Sequence, residues 1–587
     1  MSKASNEEQV DPILMSVIQK RLKSITEQMG FSLLRSARSP ILSESRDFVT
    51  GLYDAQGRIL EQTEYIPILA FAVAPSLIRI IEYYKDDIHP GDIIMHNDPF
   101  TGGNQPADVK VVKPVFYEGR LVAWAIINGH QADVGGAVAS GYNPNAREIW
   151  QEAIRITAVK VYEKGVLRKD VWDLIFANIR YEMVEHDILA AIGGCVVGER
   201  EFLKMLDKYG LEVFNAHVEA LFNATEKMMR AEIALIPDGV YGASAHVYDD
   251  GVRKQSRMKI EVSIRVDGTD IEFDYAGTDP QTPGFVNAPL SSTLSATMLS
   301  FLMCVNPDIP RNDGMMRPIR VKSPEGCLLN PRFPAATTFG NHLSDQVSTA
   351  IFLALSKAIP ARVTAAWNPK FSGTIVGSDP RRNRPFVDIL FLSSKGGSGA
   401  THGVDGYDYI GTICAAGGLR AQDPELFEID TPNKIHQLEF LTDSAGAGRW
   451  RGGWGVEAVL EFGSEGSVLS LNGDGMHEDS AAVGIFGGCP GTPNTAELVY
   501  PNGKKVVIGP YSTKQVISDI PKGSMWYQKA GGGGGYGPAW TRDPEAVGEE
   551  VKLGLISPEQ ALGAYKVIVD PMTFRVNEEQ TRKLRNK

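Results

Sequence analysis

Cysteine is scarce in this chain, with five residues among 587, and no two of them form a Cys-x-x-Cys pair. This spacing disfavours a structural zinc finger or an iron–sulfur cluster, because both need closely spaced thiolates. An odd, sparse count is typical of a reducing cytoplasm rather than of a secreted domain held by disulfides. The five residues are Cys195, Cys304, Cys327, Cys414 and Cys489.

Long apolar runs are also missing. The longest, such as residues 121–127, are far shorter than the roughly 20 residues that span a bilayer. Residues 1–8 (MSKASNEE) lack the apolar core of a secretion signal. We therefore expect a cytoplasmic protein without a membrane partner.

Positive charge is in deficit, since the formal net charge is −12. This disfavours a nucleic-acid partner, which needs a basic surface. The sequence has neither the Gly-Lys-Ser/Thr ending of a phosphate loop nor a Gly-x-Ser-x-Gly serine-hydrolase elbow. Glycine-rich residues 395–400 and 531–535 are interpreted as tightly packed or flexible loops, with anion binding as the weaker alternative for 395–400.

The chain is too long for one hydrophobic core, because single cores stop growing beyond roughly 250–300 residues. Helical periodicity alternates with short strands, which predicts a multidomain α+β fold: helical layers packed on mixed β-sheets, with a β-rich C-terminal region. The predicted units are an N-terminal α+β domain (1–147), a helical segment (148–236), a central α+β domain (237–434), a β-rich domain (435–540) and a C-terminal helical tail (541–587).

Carboxylates and imidazoles gather in the first quarter of the chain, at predicted strand ends and turns. Such oxygen and nitrogen donors suit zinc, manganese or iron. The simpler alternative is structural: Asp98 before Pro99 caps a turn, and His130 is a satisfied core histidine. The cluster consists of Asp47, His96, Asp98, Asp108, His130 and Asp133.

Several motifs in this region and beyond resemble the hydantoinase B/oxoprolinase family. Residues 91–103 (GDIIMHNDPFTGG) and 129–136 (GHQADVGG) carry the resemblance most clearly. It continues in order at 328–332 (LLNPR), 340–342 (GNH), 451–455 (RGGWG), 531–536 (GGGGGY) and 555–561 (LISPEQA), and so spans nearly the whole chain.

The resemblance implies one of two ATP-dependent activities. Some members hydrolyse cyclic amides, as N-methylhydantoinase, 5-oxoprolinase and caprolactamase do, and others carboxylate ketones such as acetone or acetophenone. In each case an A-type partner of the actin-like ATPase class binds ATP and phosphorylates the substrate, and the B-type unit completes the chemistry. We therefore expect a hetero-oligomer with ATP on the partner subunit and, in some assemblies, further small subunits.

The resemblance also implies a metal site at Asp47, Gln105, Asp108 and His130. The departure is Gln105, where the family usually has histidine, and an amide oxygen is a poorer ligand than imidazole. The site therefore either holds a divalent metal (zinc, manganese or magnesium), with His96 as the substitute ligand, or is closed by hydrogen bonds.

Because a hydrolase gains most from metal-activated water, the lost ligand favours a carboxylase. The first hypothesis is a B-type subunit of a ketone carboxylase of the acetophenone type, which handles a phosphorylated enol. The alternatives are a cyclic-amide hydrolase subunit and a non-catalytic scaffold subunit. The candidate catalytic residues are His130, Asp108, Asp133 and His96.

Overall fold

The computed structural model describes residues 10–511 and 513–586. The polar stretch 1–8, on which the expectation of no secretion signal rests, lies outside the described residues. The helices are α1 (Pro12–Ser36), α2 (Pro40–Ser43), α3 (Val73–Tyr84), α4 (Lys169–Phe176), α5 (Glu182–Tyr209), α6 (Leu211–Ile233), α7 (Leu290–Leu302), α8 (Ser344–Leu355), α9 (Pro424–Asp430), α10 (Pro544–Lys552), α11 (Pro558–Gly563) and α12 (Glu578–Arg585).

The first long helix, α1, begins where the sequence sets a helix start. The Asp11 side chain accepts a hydrogen bond from the Ile13 backbone N–H, and Pro12 occupies the first turn. Apolar residues at helical spacing form one buried face, which packs on α5. The helix stops at Ser36, shortly before Pro40 begins α2.

A seven-stranded antiparallel sheet forms the centre of the N-terminal half, with strand order β2-β1-β5-β4-β3-β6-β7. One face packs on α1, α5 and α6, and the other faces the central part of the chain. Strands β4 and β5 form an antiparallel hairpin. The strands are β1 (Phe48–Asp54), β2 (Ile59–Glu64), β3 (Ile93–His96), β4 (Asp108–Tyr117), β5 (Arg120–His130), β6 (Val159–Glu163) and β7 (Val166–Leu167).

This sheet extends past residue 147, where the sequence predicted the first domain to end. Strands β6 and β7 lie inside the segment 148–236 that was predicted to be helical. β6 pairs with the outer edge of β3, which satisfies the backbone groups that an edge strand would leave open. The helical part begins only at α4. The helical run is interrupted at Gly210, whose φ of 79° ends α5 and starts α6.

A second sheet of four strands packs on helices α7 and α8. Its order is β11-β10-β9-β8, and the β10–β11 pair is parallel whereas the others are antiparallel. Apolar residues alternate with polar ones along β9 and β10, and the apolar side chains are buried on one face. The strands are β8 (Gly239–Tyr248), β9 (Arg257–Asp267), β10 (Asp270–Asp274) and β11 (Ile319–Lys322).

Two further sheets make up the β-rich region. One has the order β13-β12-β16-β19 and the other β14-β15-β20-β17-β18. β12 and β13 come from the predicted central domain, so the β-rich unit includes strands before residue 435. The strands are β12 (Phe371–Asp379), β13 (Arg384–Ile389), β14 (Lys434–Phe440), β15 (Val456–Glu461), β16 (Ser467–Gly473), β17 (Thr495–Val499), β18 (Lys505–Ile508), β19 (Gln515–Ile520) and β20 (Met525–Ala530). The α+β, multidomain fold class is confirmed.

Glycine-rich segments from distant parts of the chain pack backbone against backbone, and we call them the glycine layer (residues 396–399, 446–455, 484–491 and 531–535). The Gly533 N–H donates to the Gly453 carbonyl at 3.0 Å, and the Gly446 N–H donates to the Gly533 carbonyl at 2.8 Å. The Gly397 N–H donates to the Gly531 carbonyl. The tight-packing interpretation is thus confirmed, and the Gly397 amide is engaged within the protein rather than presented to an anion.

The C-terminal tail is helical, as predicted, and an ion network fastens it to the body. The Arg542 guanidinium donates to both carboxylate oxygens of Asp405 and to Glu550, and Arg451 donates to Glu550 as well. The Arg542 side chain is only 8% exposed. A buried guanidinium of this kind needs all its carboxylate partners.

Arg542→Met is therefore expected to loosen the tail, because it leaves Glu550 buried with one partner fewer. Removing one member of a buried ion pair costs about 3 kcal/mol. Limited proteolysis should release a fragment from residue 541 onward much faster than in the wild type. Lys552→Met, which breaks an exposed pair with Glu549, is the control, and equal cleavage rates for the two variants would contradict the network's role.

Among the described residues, only the segment 67–84 is long and apolar enough to cross a membrane, and half of it is buried within the fold. The expected cytoplasmic location stays a prediction.

Candidate functional site

The register of the first sheet brings three of the sequence-predicted residues together. Asp108, the first residue of β4, lies directly opposite His130, the last residue of β5. On the other side of β5, Phe48 of β1 pairs with Gly129, so Asp47 stands beside the same strand end. The backbone N–H of His130 donates to the backbone carbonyl of Asp47 at 3.0 Å. Three side chains far apart in sequence thus meet at one end of the sheet.

Asp108 and His130 form a buried pair. His130 Nδ1 lies 2.7 Å from Asp108 Oδ1. The second oxygen, Oδ2, accepts hydrogen bonds from the amides of Asn104 at 2.5 Å and Asn341 at 2.8 Å. Asp108 is thereby fixed in orientation, and the imidazole of His130 is held with Nε2 on the opposite side of the ring.

A second polar group faces this pair across a small cavity. The Gln105 amide donates to the Tyr142 hydroxyl at 2.7 Å, and that hydroxyl lies 2.9 Å from His342 Nε2. The Lys370 ammonium also lies 2.9 Å from His342 Nε2. His342 lies in the short 3₁₀ turn before α8, and Lys370 immediately precedes β12.

The cavity between the two groups has a volume of about 30 Å³, enough for one water-sized atom group. Larger hollows exist at the surface, such as one of about 570 Å³ beside Tyr511, but it does not gather these buried charged groups. The lining residues are Asp47, Gln105, Asp108, His130, Tyr142, Asn341, His342, Lys370, Thr412 and Cys414, with Ile66, Ile68, Leu69, Phe391, Ala415 and Leu419 as the apolar wall.

The electrostatics of the site follow from burial among unlike charges. Burial raises the pKa of Asp47 to about 6, although the charge of His130 opposes that shift. Burial disfavours the imidazolium of His130, but its hydrogen bond to Asp108 and the charge of Asp47 outweigh this and raise its pKa. Burial lowers the pKa of Lys370 to about 8, so the ammonium form still predominates at neutral pH.

The remaining groups of the cavity are neutral. Burial and the nearby Lys370 ammonium hold the pKa of His342 well below its usual range. Burial raises the pKa of the Cys414 thiol to about 12, which argues against a thiolate nucleophile. Burial also raises the pKa of the Tyr142 hydroxyl well above its usual value.

Asp133, predicted as catalytic, does not line this cavity. Its carboxylate accepts hydrogen bonds from the backbone N–H and the guanidinium of Arg180, at 2.8 and 3.0 Å. The chain turns directly after Asp133, at Gly135 and Gly136. Asp133 is thus a structural partner of Arg180.

His96 is also separate from the cavity. Its Nε2 lies 2.9 Å from the Thr101 hydroxyl, which in turn donates to Asp98. Asp98 is held by two guanidinium nitrogens of Arg155, so this carboxylate is structural as well. Burial lowers the pKa of His96 to about 3. The expectation that His96 substitutes for the missing ligand is therefore corrected.

The residues present do not fit a bound divalent metal. In the part of the chain that the structure describes, no three His, Cys, Asp or Glu side chains are grouped as metal ligands. Both oxygens of Asp108 accept N–H donors, and Lys370 already places a positive charge beside the acidic groups. The closure by hydrogen bonds is the alternative that this donor set favours.

Most of the cavity-lining residues outside the Asp47, Asp108 and His130 group were not predicted from the sequence. The GNH motif at 340–342 was noted for its family resemblance, and the structure places His342 in the cavity wall. Tyr142, Lys370 and Cys414 follow no periodicity or motif, and only the tertiary structure places them beside His130.

Comparison with known proteins places this arrangement in context. The sequence is 33% identical to the caprolactamase subunit beta of Pseudomonas jessenii over 96% of this chain and 97% of that protein. The crystal structure of the ATP-dependent caprolactamase from P. jessenii superposes with a TM-score of 0.91 at 31% identity, covering 98% of this chain and 100% of that one.

A nucleotide-free acetone carboxylase structure superposes with a TM-score of 0.88 at 20% identity, covering 98% of this chain and 82% of that chain, and so shares the fold. The family model for hydantoinase B/oxoprolinase matches residues 11–539. This chain therefore belongs to the hydantoinase B/oxoprolinase family.

Proposed function

We propose that this chain is the catalytic subunit of an ATP-dependent cyclic-amide hydrolase. The observation that carries the proposal is the buried His130–Asp108 pair, which borders a water-poor cavity beside Asp47. The sequence alone favours a ketone carboxylase. The relative at 33% identity over nearly the full length is named a caprolactamase, and this supports the hydrolase alternative instead.

His130 acts as the proton carrier in this proposal. In the neutral form of His130, Asp108 holds the Nδ1–H, and Nε2 is then free to accept a proton from a water molecule in the cavity. Asp108 also stabilises the imidazolium that results, because its charge lies 2.7 Å away. The apolar wall excludes other water and strengthens these interactions.

The proposed reaction begins with a lactam or hydantoin whose carbonyl oxygen has been phosphorylated. The water oxygen bonds to the carbonyl carbon as His130 takes one proton. The ring carbon–nitrogen bond then breaks as the added hydroxyl loses its proton and becomes the carbonyl oxygen of a linear acyl phosphate. The departing nitrogen leaves with both protons of the water, one of them returned by His130. The linear acyl phosphate reacts with a second water and releases phosphate.

Activation of the substrate belongs to a partner. The sequence contains no phosphate loop, which supports an A-type subunit that binds ATP and transfers its γ-phosphoryl group. The named relative is itself one subunit of an enzyme. We therefore propose a hetero-oligomer in which the partner subunit binds ATP. Any further small subunit should copurify with this complex.

The test is to purify this chain with an A-type subunit sought among the neighbouring genes. The complex should open 5-oxoproline, hydantoin or caprolactam only when ATP is present, with release of ADP and phosphate. A complex that opens none of these rings but incorporates labelled bicarbonate into a ketone would overturn the hydrolase proposal.

The second candidate is the ketone carboxylase, and one observation favours it. A lysine ammonium in a water-poor cavity can stabilise an enolate and hold the carboxylating group without metal-activated water. The bicarbonate assay with acetone and acetophenone distinguishes this candidate. A scaffold subunit, the third alternative, would retain full complex activity after substitution of His130 and Asp108.

A further inference from the structure

Lys370 is a buried cation without a carboxylate partner. It is 5% exposed, and its ammonium has the neutral imidazole of His342 as its hydrogen-bond partner among residues 10–511 and 513–586. The rings of Tyr142 and Phe391 lie 5.1 and 6.0 Å away and form its other surroundings. Asp47, Asp108 and Asp345 influence it at longer range, outside hydrogen-bonding distance.

Other buried lysines in the described chain have an oxygen partner. Lys110 and Lys514 have no carboxylate within 4 Å either, but they donate to the Asn104 amide oxygen and the Tyr248 carbonyl. Lys160 lies 3.0 Å from Asp92, and Lys113 lies 3.3 Å from Glu199. Lys395 donates to the Leu419 carbonyl at 2.7 Å. A buried ammonium without a charged partner lowers the stability of the fold. We therefore interpret Lys370 as a charge that is retained to bind an anion entering the cavity.

Lys370 and His130 both line this cavity. The ammonium has three donors, and His342 accepts one of them. We propose that the Lys370 ammonium binds a negatively charged oxygen in this cavity, and that it stabilises the oxyanion which develops on the carbon under attack.

His342 and Tyr142 act as positioning residues for this ammonium. His342 accepts through Nε2 from Lys370, and its other ring nitrogen, Nδ1, has no partner within the described chain. The Tyr142 hydroxyl receives the Gln105 amide and lies against the same Nε2. The lysine therefore points along one direction, as an oxyanion donor must.

The role in ring opening rests on the proposed function, whereas anion binding does not. As the hydroxyl added from the water gives up its proton and expels the ring nitrogen, negative charge collects on that oxygen. A fixed ammonium in a water-poor cavity stabilises this charge more than it stabilises the neutral ground state.

Azide is a suitable probe for the anion site, because it is small and its infrared stretch shifts on binding. The full-length chain, dialysed against EDTA, should show a bound-azide band beside that of free azide. Lys370→Met should abolish this band, and Lys370→Gln provides a second variant. Lys395→Met is the matched control, since it removes a buried ammonium outside the cavity lining, and it should keep the band.

Thermal denaturation of the same variants separates anion binding from a structural role. Lys370→Met removes an uncompensated charge, so its Tm should equal or exceed that of the wild type. A lower Tm together with an unchanged azide band would identify a purely structural lysine and overturn the proposal. A band that EDTA removes and Lys370→Met does not would assign the anion site to a metal instead.

In the complex with its ATP-dependent partner, Lys370→Met should lower kcat for ring opening about 10²–10³-fold, with a smaller change in KM. Lys395→Met should stay close to wild type. If the wild-type complex opens no cyclic amide but the azide band depends on Lys370, the hydrolase proposal fails and the anion site stands. If ring opening proceeds and Lys370→Met retains kcat, the lysine proposal fails alone.

Discussion

Asp108→Asn is expected to lower kcat for ring opening about 10²–10⁴-fold in the assembled complex. The carboxylate accepts the His130 Nδ1–H at 2.7 Å and two amide N–H groups on its other oxygen. Asparagine offers one acceptor and one donor in the same space, so either the tautomer of His130 or an amide contact is lost. The chain should still fold, with a stability loss of about 1–3 kcal/mol.

Asp133→Asn is the matched control for this experiment. Asp133 is an equally buried carboxylate of the same predicted cluster, but its partner is Arg180 and it lies outside the cavity. Its replacement should lower the Tm and leave kcat within a few-fold of wild type. Equal losses of kcat in the two variants, or none in Asp108→Asn, would contradict the assignment of His130 and Asp108 to the reaction.

Gly533→Ala is expected to prevent the β-rich region from folding. A Cβ at this position would lie 1.8 Å from the Ser398 carbonyl oxygen and 2.2 Å from its carbon. Both atoms are backbone, and Gly533 is itself hydrogen-bonded to Gly453 and Gly446, so neither side of the contact can move away. We expect a destabilisation above roughly 4–5 kcal/mol, seen as loss of soluble protein.

Gly193→Ala provides the opposite outcome in the same chain. Gly193 lies within α5, and a Cβ there would meet no atom within 4 Å. Alanine is favoured over glycine inside a helix by about 0.5–1 kcal/mol, so this variant should be as stable as wild type or more so. Soluble yield and Tm should be measured for both variants in parallel. A soluble Gly533→Ala variant with wild-type Tm would show that the glycine layer can rearrange to accommodate a Cβ.

The sequence predicted what local pattern and turn chemistry control. The β4–β5 hairpin follows from apolar residues around the Glu118-Gly119 turn, and its register alone sets Asp108 opposite His130. The start of α1 follows from Asp11 and Pro12.

Long-range pairing could not be read in this way. Asp98 and Asp133 looked equivalent to Asp108 because their partners, Arg155 and Arg180, come from later segments that the motif does not contain. Lys370 enters the site only because β12 joins the third sheet, and nothing in the residues around it indicates chemistry. Tertiary contacts thus determine which cation pairs with each carboxylate. The structural carboxylates pair with arginines, whereas Asp108 in the cavity pairs with His130.

The lining of the cavity is drawn from positions between Asp47 and Leu419. A ribosome must therefore complete more than two thirds of the polypeptide before the last wall residue has even been synthesised. Until then His130 and its neighbours on the hairpin face water, because the remaining wall residues are missing. The chemistry is consequently switched on only by complete folding, and an early truncation yields a protein that retains its first sheet but has no reaction chamber.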